Sequence, residues 1–283
     1  GITISFRKAR EMNKNIANIE KCFGCGVCAA VCPVKIIDID LDSDGFYTPH
    51  IKRDICTGCG LCVKVCAFIN DPLPSATETK AECYAMWSND KSVLSKCSSG
   101  GVGYELAANL LQAGYKAIGV RYNPKNTRAE HFVATDIHEF ESSVGSKYIQ
   151  SYTLDAFKEI NTKEKNVIFG APCQIDSLRR FVKLKNREEN FVLIDFFCHG
   201  VPSMFLWQKY LESIKSLSID ANVTWRNKRT GWHDSWAITT DIAGKEYFSR
   251  FSAGDLFFKF FLNDSCLGNA CYDNCNYKME KSS

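Results

Sequence analysis

Two stretches of this chain carry four cysteines each at a single spacing. "KCFGCGVCAAVCP" (residues 21–33) and "ICTGCGLCVKVCA" (residues 55–67) both fit C-x2-C-x2-C-x3-C. The first holds Cys22, Cys25, Cys28 and Cys32; the second holds Cys56, Cys59, Cys62 and Cys66. Three thiolates separated by two residues can wrap one corner of an iron–sulfur cubane. The fourth ligand must come from elsewhere, because the short helix after the triplet carries its own last cysteine away. Zinc fits poorly, since it prefers four ligands in two separated pairs and each run offers three plus one.

The spacing is that of bacterial ferredoxins, in which each fourth cysteine serves the other cluster. The expected ligand sets are therefore Cys22, Cys25, Cys28 and Cys66 for one 4Fe-4S cluster, and Cys56, Cys59, Cys62 and Cys32 for a second. Gly24, Gly26, Gly58 and Gly60 let backbone amides turn towards the sulfur. The first run ends in Pro33, whereas the second continues with Ala67. Between the runs, "KIIDIDLDSDGFYTPHI" reads as strand, turn at Asp44-Gly45, strand, with His50 expected at the surface. These features predict a ferredoxin-like module over residues 15–70.

The chain has 283 residues, 45% of them hydrophobic, enough for one large or two ordinary domains. Its longest apolar runs are strand-sized, far below the ~18 residues that span a bilayer. No signal-peptide pattern occurs, so the expectation is a cytoplasmic setting with reduced thiols. Fifteen cysteines, an odd number, are then ligands or catalysts before they are disulfides. The formal charge of +3 counts every cysteine as neutral. A cluster on four thiolates carries about −2, so two clusters bring the chain to about −1 and three to about −3. No basic run interleaves with aromatics, and nucleic-acid binding is not expected. The basic "FRKAR" before Met12 is given no part in the fold.

"NDPLPSATETKAE" reads as a linker over residues 71–82. A domain of different composition follows over residues 83–283. "CYAMW" from Cys83, "KAIGVRY", "HFVATD", "NVIFG" and "FVLIDFFC" read as strands, the last one buried. Helices are expected from about Val102 to Gln112, over "TLDAFKEINTK", from Pro172 through "CQIDSLRRFV", and after Pro202. Alternating strands and helices predict an α/β domain with a largely parallel mixed sheet. Cys83 and Cys97 read as small buried hydrophobes, and His131 and His138 as structural or exposed.

Three turns in this domain lie where helices begin: "SSGG" at 98–101, "GAPCQ" at 170–174 and "CHGVP" at 198–202. Helix N-termini at the carboxyl ends of strands suit phosphates, so the three turns predict a cleft for a phosphate-bearing cofactor. Neither G-x-G-x-x-G nor a Walker A motif occurs, which argues against an ordinary NAD or ATP site. Cys198 and His199 are chain neighbours pointing to opposite faces, a poor nucleophile–base pair. Near the end, Cys266, Cys271 and Cys275 in "DSCLGNACYDNCNYK" suggest a third cluster, with Cys198 or Cys173 as candidate fourth ligand; zinc or free thiols are the competing reading.

"SSGG", "GSKYIQS" (145–151), "GAPCQI", "CHGVPS", "RNKRTGW" (226–232) and the last cysteine group occur in that order. Together they resemble the coenzyme F420 hydrogenase/dehydrogenase beta-subunit family, in its form with an N-terminal ferredoxin, over about residues 17–278. The resemblance implies a flavin-binding α/β domain holding FAD and its own 4Fe-4S cluster. It implies flavin contacts from Ser98, Ser99, Gly100, Gly101, Lys147, Tyr148, Pro172, Cys173, Gln174, His199 and Gly200. It places the third cluster on Cys266, Cys271 and Cys275, with Cys198 preferred as fourth ligand. Two departures stand out: the family's last pair is usually C-x2-C, and the family continues into an Asp-rich segment, so the C-terminal region is expected to be shortened.

The leading expectation is an iron–sulfur flavoprotein oxidoreductase. FAD would exchange hydride with a deazaflavin or another organic substrate, and the clusters would move single electrons to or from a redox partner protein. The alternatives are an electron-transfer subunit docked on a catalytic partner, or a binding protein that has lost its cofactor.

Overall fold

The structure, a computed structural model, describes residues 15–19, 21–71, 82–214, 221–231, 234, 236–242, 245–272 and 275–277. The "FRKAR" stretch, nearly all of the expected linker, Trp232 and the chain beyond 277 lie outside the described residues.

The cysteine-rich module is built from α1 (Val27–Val31), a hairpin of β1 (Ile37–Leu41) and β2 (Tyr47–Ile51), and α2 (Leu61–Lys64). The hairpin is antiparallel and pairs Ile37 with Ile51 and Leu41 with Tyr47. Its turn forms where Asp and Gly were expected to make one: Asp42 Oδ1 accepts from the backbone N–H of Asp44 and of Phe46, and Gly45 takes a φ of 82°. Alternate residues Ile37 and Ile39 face the core, and His50 is exposed.

The second body starts with α3 (Lys91–Lys96) and α4 (Val102–Gln112). Asp90 caps α3 by accepting from Ser92 N–H at 2.7 Å. Next come β3 (Lys116–Asn123), β4 (Arg128–Ala134), α5 (Ile137–Phe140), β5 (Ser151–Tyr152), α6 (Leu154–Lys158), β6 (Asn166–Phe169), α7 (Pro172–Leu184) and β7 (Phe191–Ile194). The five strands form one sheet in the order β5-β4-β3-β6-β7. Only β3 and β4 are antiparallel; the other three pairings are parallel. The result is an α/β domain with a mixed sheet. Ala117, Ile118, Val167 and Ile168 on its two central strands are fully buried, as expected where helices cover both faces.

Three expectations fail here. Residues 82–88 form no strand, and Cys83 is exposed, unlike the buried Cys97. Strand β7 is an edge strand, half-buried along its length; Phe196 and Phe197 beyond it are 59% and 86% exposed. An apolar run alone does not separate a central strand from an edge strand.

The chain then forms α8 (Met204–Ser213), capped by Ser203, whose hydroxyl accepts from Phe205 N–H. A second sheet follows, antiparallel in the order β10-β9-β8, from β8 (Val223–Trp225), β9 (Ala237–Ile242) and β10 (Lys245–Arg250). The short helices α9 (Leu256–Leu262) and α10 (Asn269–Tyr272) complete the described chain.

One core runs through both bodies. Val27, Val31 and Ile37 of the cysteine module share a cluster with Phe157, Leu178 and Trp207 of the larger one. Each fully buried side chain of this size contributes about 1.5–3 kcal/mol. Polar contacts fasten the same boundary. Ser203 donates to Asp44 O at 2.6 Å and Met204 N–H to Gly45 O at 2.9 Å, tying the hairpin turn to the start of α8.

Candidate iron–sulfur centres and adjoining cleft

The two cysteine loops share a local conformation. In each, two glycines with φ near 65° and 72° (Gly24 and Gly26; Gly58 and Gly60) precede a short helix. Gly24 N–H donates to Cys22 Sγ at 3.2 Å, and Asn15 Nδ2 donates to Cys56 Sγ at 3.4 Å.

Cys66, from the second run, lies among the thiols of the first. Burial pushes the Cys66 thiol up to about 12, with further upward pressure from Cys25 and Cys62. Burial likewise raises Cys22 and Cys28, each of which also feels Cys25 and Cys66. The complementary set meets at a cavity lined by Cys32, Cys56, Cys59 and Cys62, closed by Val34, Ile36, Ile37 and Ile51. Among the described residues, no three Cys, His, Asp or Glu side chains converge closely enough to hold one metal ion. Thiolates around a single zinc stand roughly 3.7 Å apart, given a Zn–S bond of about 2.3 Å. The cavity around Cys32, Cys56, Cys59 and Cys62 is lined mainly by thiols and aliphatic side chains, without a carboxylate or imidazole, the soft donor set that an iron–sulfur core takes.

A further thiol group sits in the large domain. Cys173 is the second residue of α7, whose first residue is Pro172. Burial raises its thiol well above the ordinary range, and Cys25, Cys198, Cys271 and Cys275 add to that rise, in that order. The thiols around Cys173 therefore come from three places: the turn after β7, α10 and the residues beyond it, and the cysteine module itself. Cys266 stands where the chain meets the start of α8. Its carbonyl accepts from Ser203 N–H, and Leu267 forms a bridge with Pro202. Cys173, which the sequence offers beside Cys198 as a fourth ligand, is thus close to Cys198, Cys271 and Cys275.

The residues expected around a flavin divide between two walls. Ser99 and Gly100 line an open cleft with Met86, Trp87, Lys91, Leu94, Ser95 and Lys228. Ser98 is buried behind it, its hydroxyl accepting from Ser146 N–H at 2.9 Å, and Gly101 begins α4 with a φ of 80°. Lys228 Nζ donates to Leu94 O and Ser99 O, holding a cation at the rim. Lys147 turns away: its amine caps the carbonyls of Ser142, Ser143 and Val144, and burial pulls it down to about 7.

Tyr148 lies among the rings of Trp236, Phe258 and Phe261, and Arg226 reaches its hydroxyl at 3.5 Å. The His199 ring packs on Phe261, with Nε2 2.7 Å from Asp264 Oδ1. Gly200 approaches Leu267 and Cys271. Gln174 spends its side chain locally, accepting from Ala171 N–H and donating to Ser151 Oγ. Contacts through His199, Phe261, Tyr148 and Arg226 thus run from the Cys198 turn to the loop after β8, the loop that also carries Lys228 to the rim of the Ser99 cleft. His131 is buried and held neutral, its pKa lowered to about 4 by burial, and plays no part in either wall.

A dicluster cysteine module packed on an α/β domain that carries its own thiol group defines an iron–sulfur electron-transfer protein. Residues 21–69 match the 4Fe-4S dicluster domain family. Residues 83–158 match the N-terminal region, and residues 163–278 the C-terminal region, of the beta subunit of coenzyme F420 hydrogenase/dehydrogenase. The chain belongs to that beta-subunit family. A comparison with curated proteins finds no match. Among solved structures, the chain is similar to one from a xenon derivatization of the F420-reducing nickel–iron hydrogenase complex of Methanosarcina barkeri. The identity is 18% and the TM-score 0.44, over 61% of this chain and 60% of that one. No helix among the described residues is long and apolar enough to cross a membrane.

Proposed function

We propose that the protein is an iron–sulfur flavoprotein oxidoreductase, with Cys22, Cys25, Cys28 and Cys66 holding one 4Fe-4S cluster and Cys56, Cys59, Cys62 and Cys32 a second. A third cluster sits on Cys173, Cys198, Cys271 and Cys275, and FAD in the cleft at Ser99 and Gly100. The observation that carries this reading is the position of Cys173. It packs with Cys275 against Phe23 and Ala67 of the cysteine module, and its thiol is within electrostatic reach of Cys25, Cys198, Cys271 and Cys275. Thiol groups therefore follow one another from the cysteine module into the large domain, as single-electron transfer between them requires.

The cleft suits a cofactor with a planar apolar end and an anionic end. Trp87 and Met86 present apolar surface, while Lys91, Lys228 and the start of α4 present positive charge. FAD supplies the conversion between hydride, two electrons at once, and the single electrons that clusters carry. The chain's own residues position and screen. Ser98 fixes the 98–101 turn against residues 145–148, and the aromatic nest around Tyr148 excludes water between the cleft and the Cys198 turn. The organic substrate would meet the flavin from the open side of the cleft, and a redox partner protein would meet the dicluster module.

Anaerobic purification with iron, sulfide and flavin analysis tests the reading. About twelve irons and one FAD per chain are expected. Cys271→Ser should remove about four irons and leave the dicluster signals, whereas Cys266→Ser should remove none. Full iron without flavin would leave an electron-transfer subunit instead, and unchanged iron in Cys271→Ser would overturn the third site.

A further inference from the structure

Ser177 is a fully buried residue one turn after Cys173 on α7, with no exposed surface. Its hydroxyl oxygen lies 3.4 Å from Cys25 Sγ and accepts the backbone N–H of Ala67 at 3.1 Å. A side chain of the large domain is thus built into the thiol group of the cysteine module.

A serine hydroxyl has one proton and two lone pairs. Ala67 N–H occupies one lone pair. While Cys25 is a thiol, its S–H can use the other. Once Cys25 is a thiolate, that proton is gone, and the only hydrogen left on this contact is the serine's own. The O–H is then free to turn to the sulfur, and Ala67 N–H, donating into the same oxygen, strengthens it as a donor. Hydrogen bonds to cluster sulfur stabilise the more negative, reduced state above the oxidised one and so raise the reduction potential.

The sequence has a matching signal. The first run closes with Pro33 and the second with Ala67. Proline has no N–H to donate. The repeat departs from proline at the position whose N–H Ser177 uses.

We propose that Ser177 is a positioning residue for electron transfer, its hydroxyl donating to the Cys25 thiolate and raising the potential of the cluster nearest Cys173. The inference rests on the reading that Cys22, Cys25, Cys28 and Cys66 hold a cluster. It makes that cluster's potential a property of the joined domains, because the donor belongs to one and the thiolate to the other. The cluster at Cys32, Cys56, Cys59 and Cys62 has no contact with Ser177 and keeps its potential whatever residue 177 is.

The test uses the full chain, purified anaerobically, as Ser177→Thr and Ser177→Val. These two side chains have nearly the same shape, and only threonine keeps the hydroxyl. Iron and sulfide are counted, then both dicluster centres are titrated by EPR against potential. Ser177→Thr should stay near the wild-type midpoints. Ser177→Val should lower one midpoint, so that at the wild-type value the reduced-to-oxidised ratio falls about tenfold, equivalent to 59 mV for one electron. Equal midpoints in the two variants at full iron would overturn the proposal. If both variants lose about four irons, Ser177→Ala is titrated in their place, and loss of the cluster there too would make Ser177 an assembly residue and refute the tuning role. Fewer than about eight irons in the reconstituted wild type would instead refute the dicluster reading itself.

Discussion

Gly24 and Gly26 take φ values of 65° and 72°, and Gly58 and Gly60 take 66° and 72°. The two cysteine loops thus repeat the same backbone, yet their surroundings differ throughout. The first loop is held by the large domain. Gln150 donates to Phe23 O and accepts from Tyr47 N–H, Thr153 donates to Cys25 O, and Ser177 meets Cys25. Cys25 and Cys28 are buried. In the second loop Cys59 is exposed, and the neighbouring Ile55 and Val34 are 59% and 46% exposed. Local sequence sets the loop geometry, while tertiary contacts decide whether its sulfur meets protein or water. In the proposed arrangement, the first loop faces inward to Cys173 and the second faces a redox partner.

The comparison breaks most visibly at Cys66, which belongs to the second run in sequence and to the first loop in space. Cys66→Ser should remove about four of eight dicluster irons, and the surviving EPR signal should be that of the Cys56 loop. Loss of the other signal would show that each run holds its own cluster.

Next in size is the pair Gly26→Ala and Gly60→Ala. Both substitutions meet the left-handed backbone penalty of about 1–2 kcal/mol. At Gly26 a Cβ would also lie 1.9 Å from Thr153 Oγ1. The first variant should therefore lose at least about 3 kcal/mol in denaturant unfolding, against about 1–2 for the second. Equal losses would mean that Thr153 yields freely and the first loop is not clamped.

The smallest effect sharpens the comparison without breaking it. Gln150→Ala removes one acceptor and one donor from buried backbone partners, at about 1–3 kcal/mol. Added iron chelator should then strip the Cys25 cluster faster than in the wild type, with little change at the Cys56 cluster. Equal acceleration at both would show that Gln150 stabilises the whole module rather than the inner loop.

Much of this was legible in the residues because covalent spacing carried it. Eight cysteines, two pairs of glycines and Asp44-Gly45 report local geometry, and local geometry is what a repeat preserves. Helix α4 announced itself by apolar period and by Gly114. Less was legible where a partner surface decides. Nothing in "FVLIDFFC" distinguishes an edge strand from a central one, since both are apolar, and the neighbour that would cover Phe197 is not written in the run itself. The antiparallel sheet of β8, β9 and β10 was not legible because its strands are short and carry no clear alternation: β8 has three residues, and two threonines interrupt β9. The place of Cys173 was legible as an option beside Cys198, and the start of α7 carries it to the module boundary.

A duplicated segment can be overwritten by its twin, since gene conversion copies one repeat onto another. In most positions of these two runs such an event would be silent. At Ala67 it would not be: importing the proline of the first run would erase the only amide hydrogen that Ala67 gives to Ser177. The two halves of this module, alike in spacing, are therefore not interchangeable, and Ala67 is one position at which they must differ.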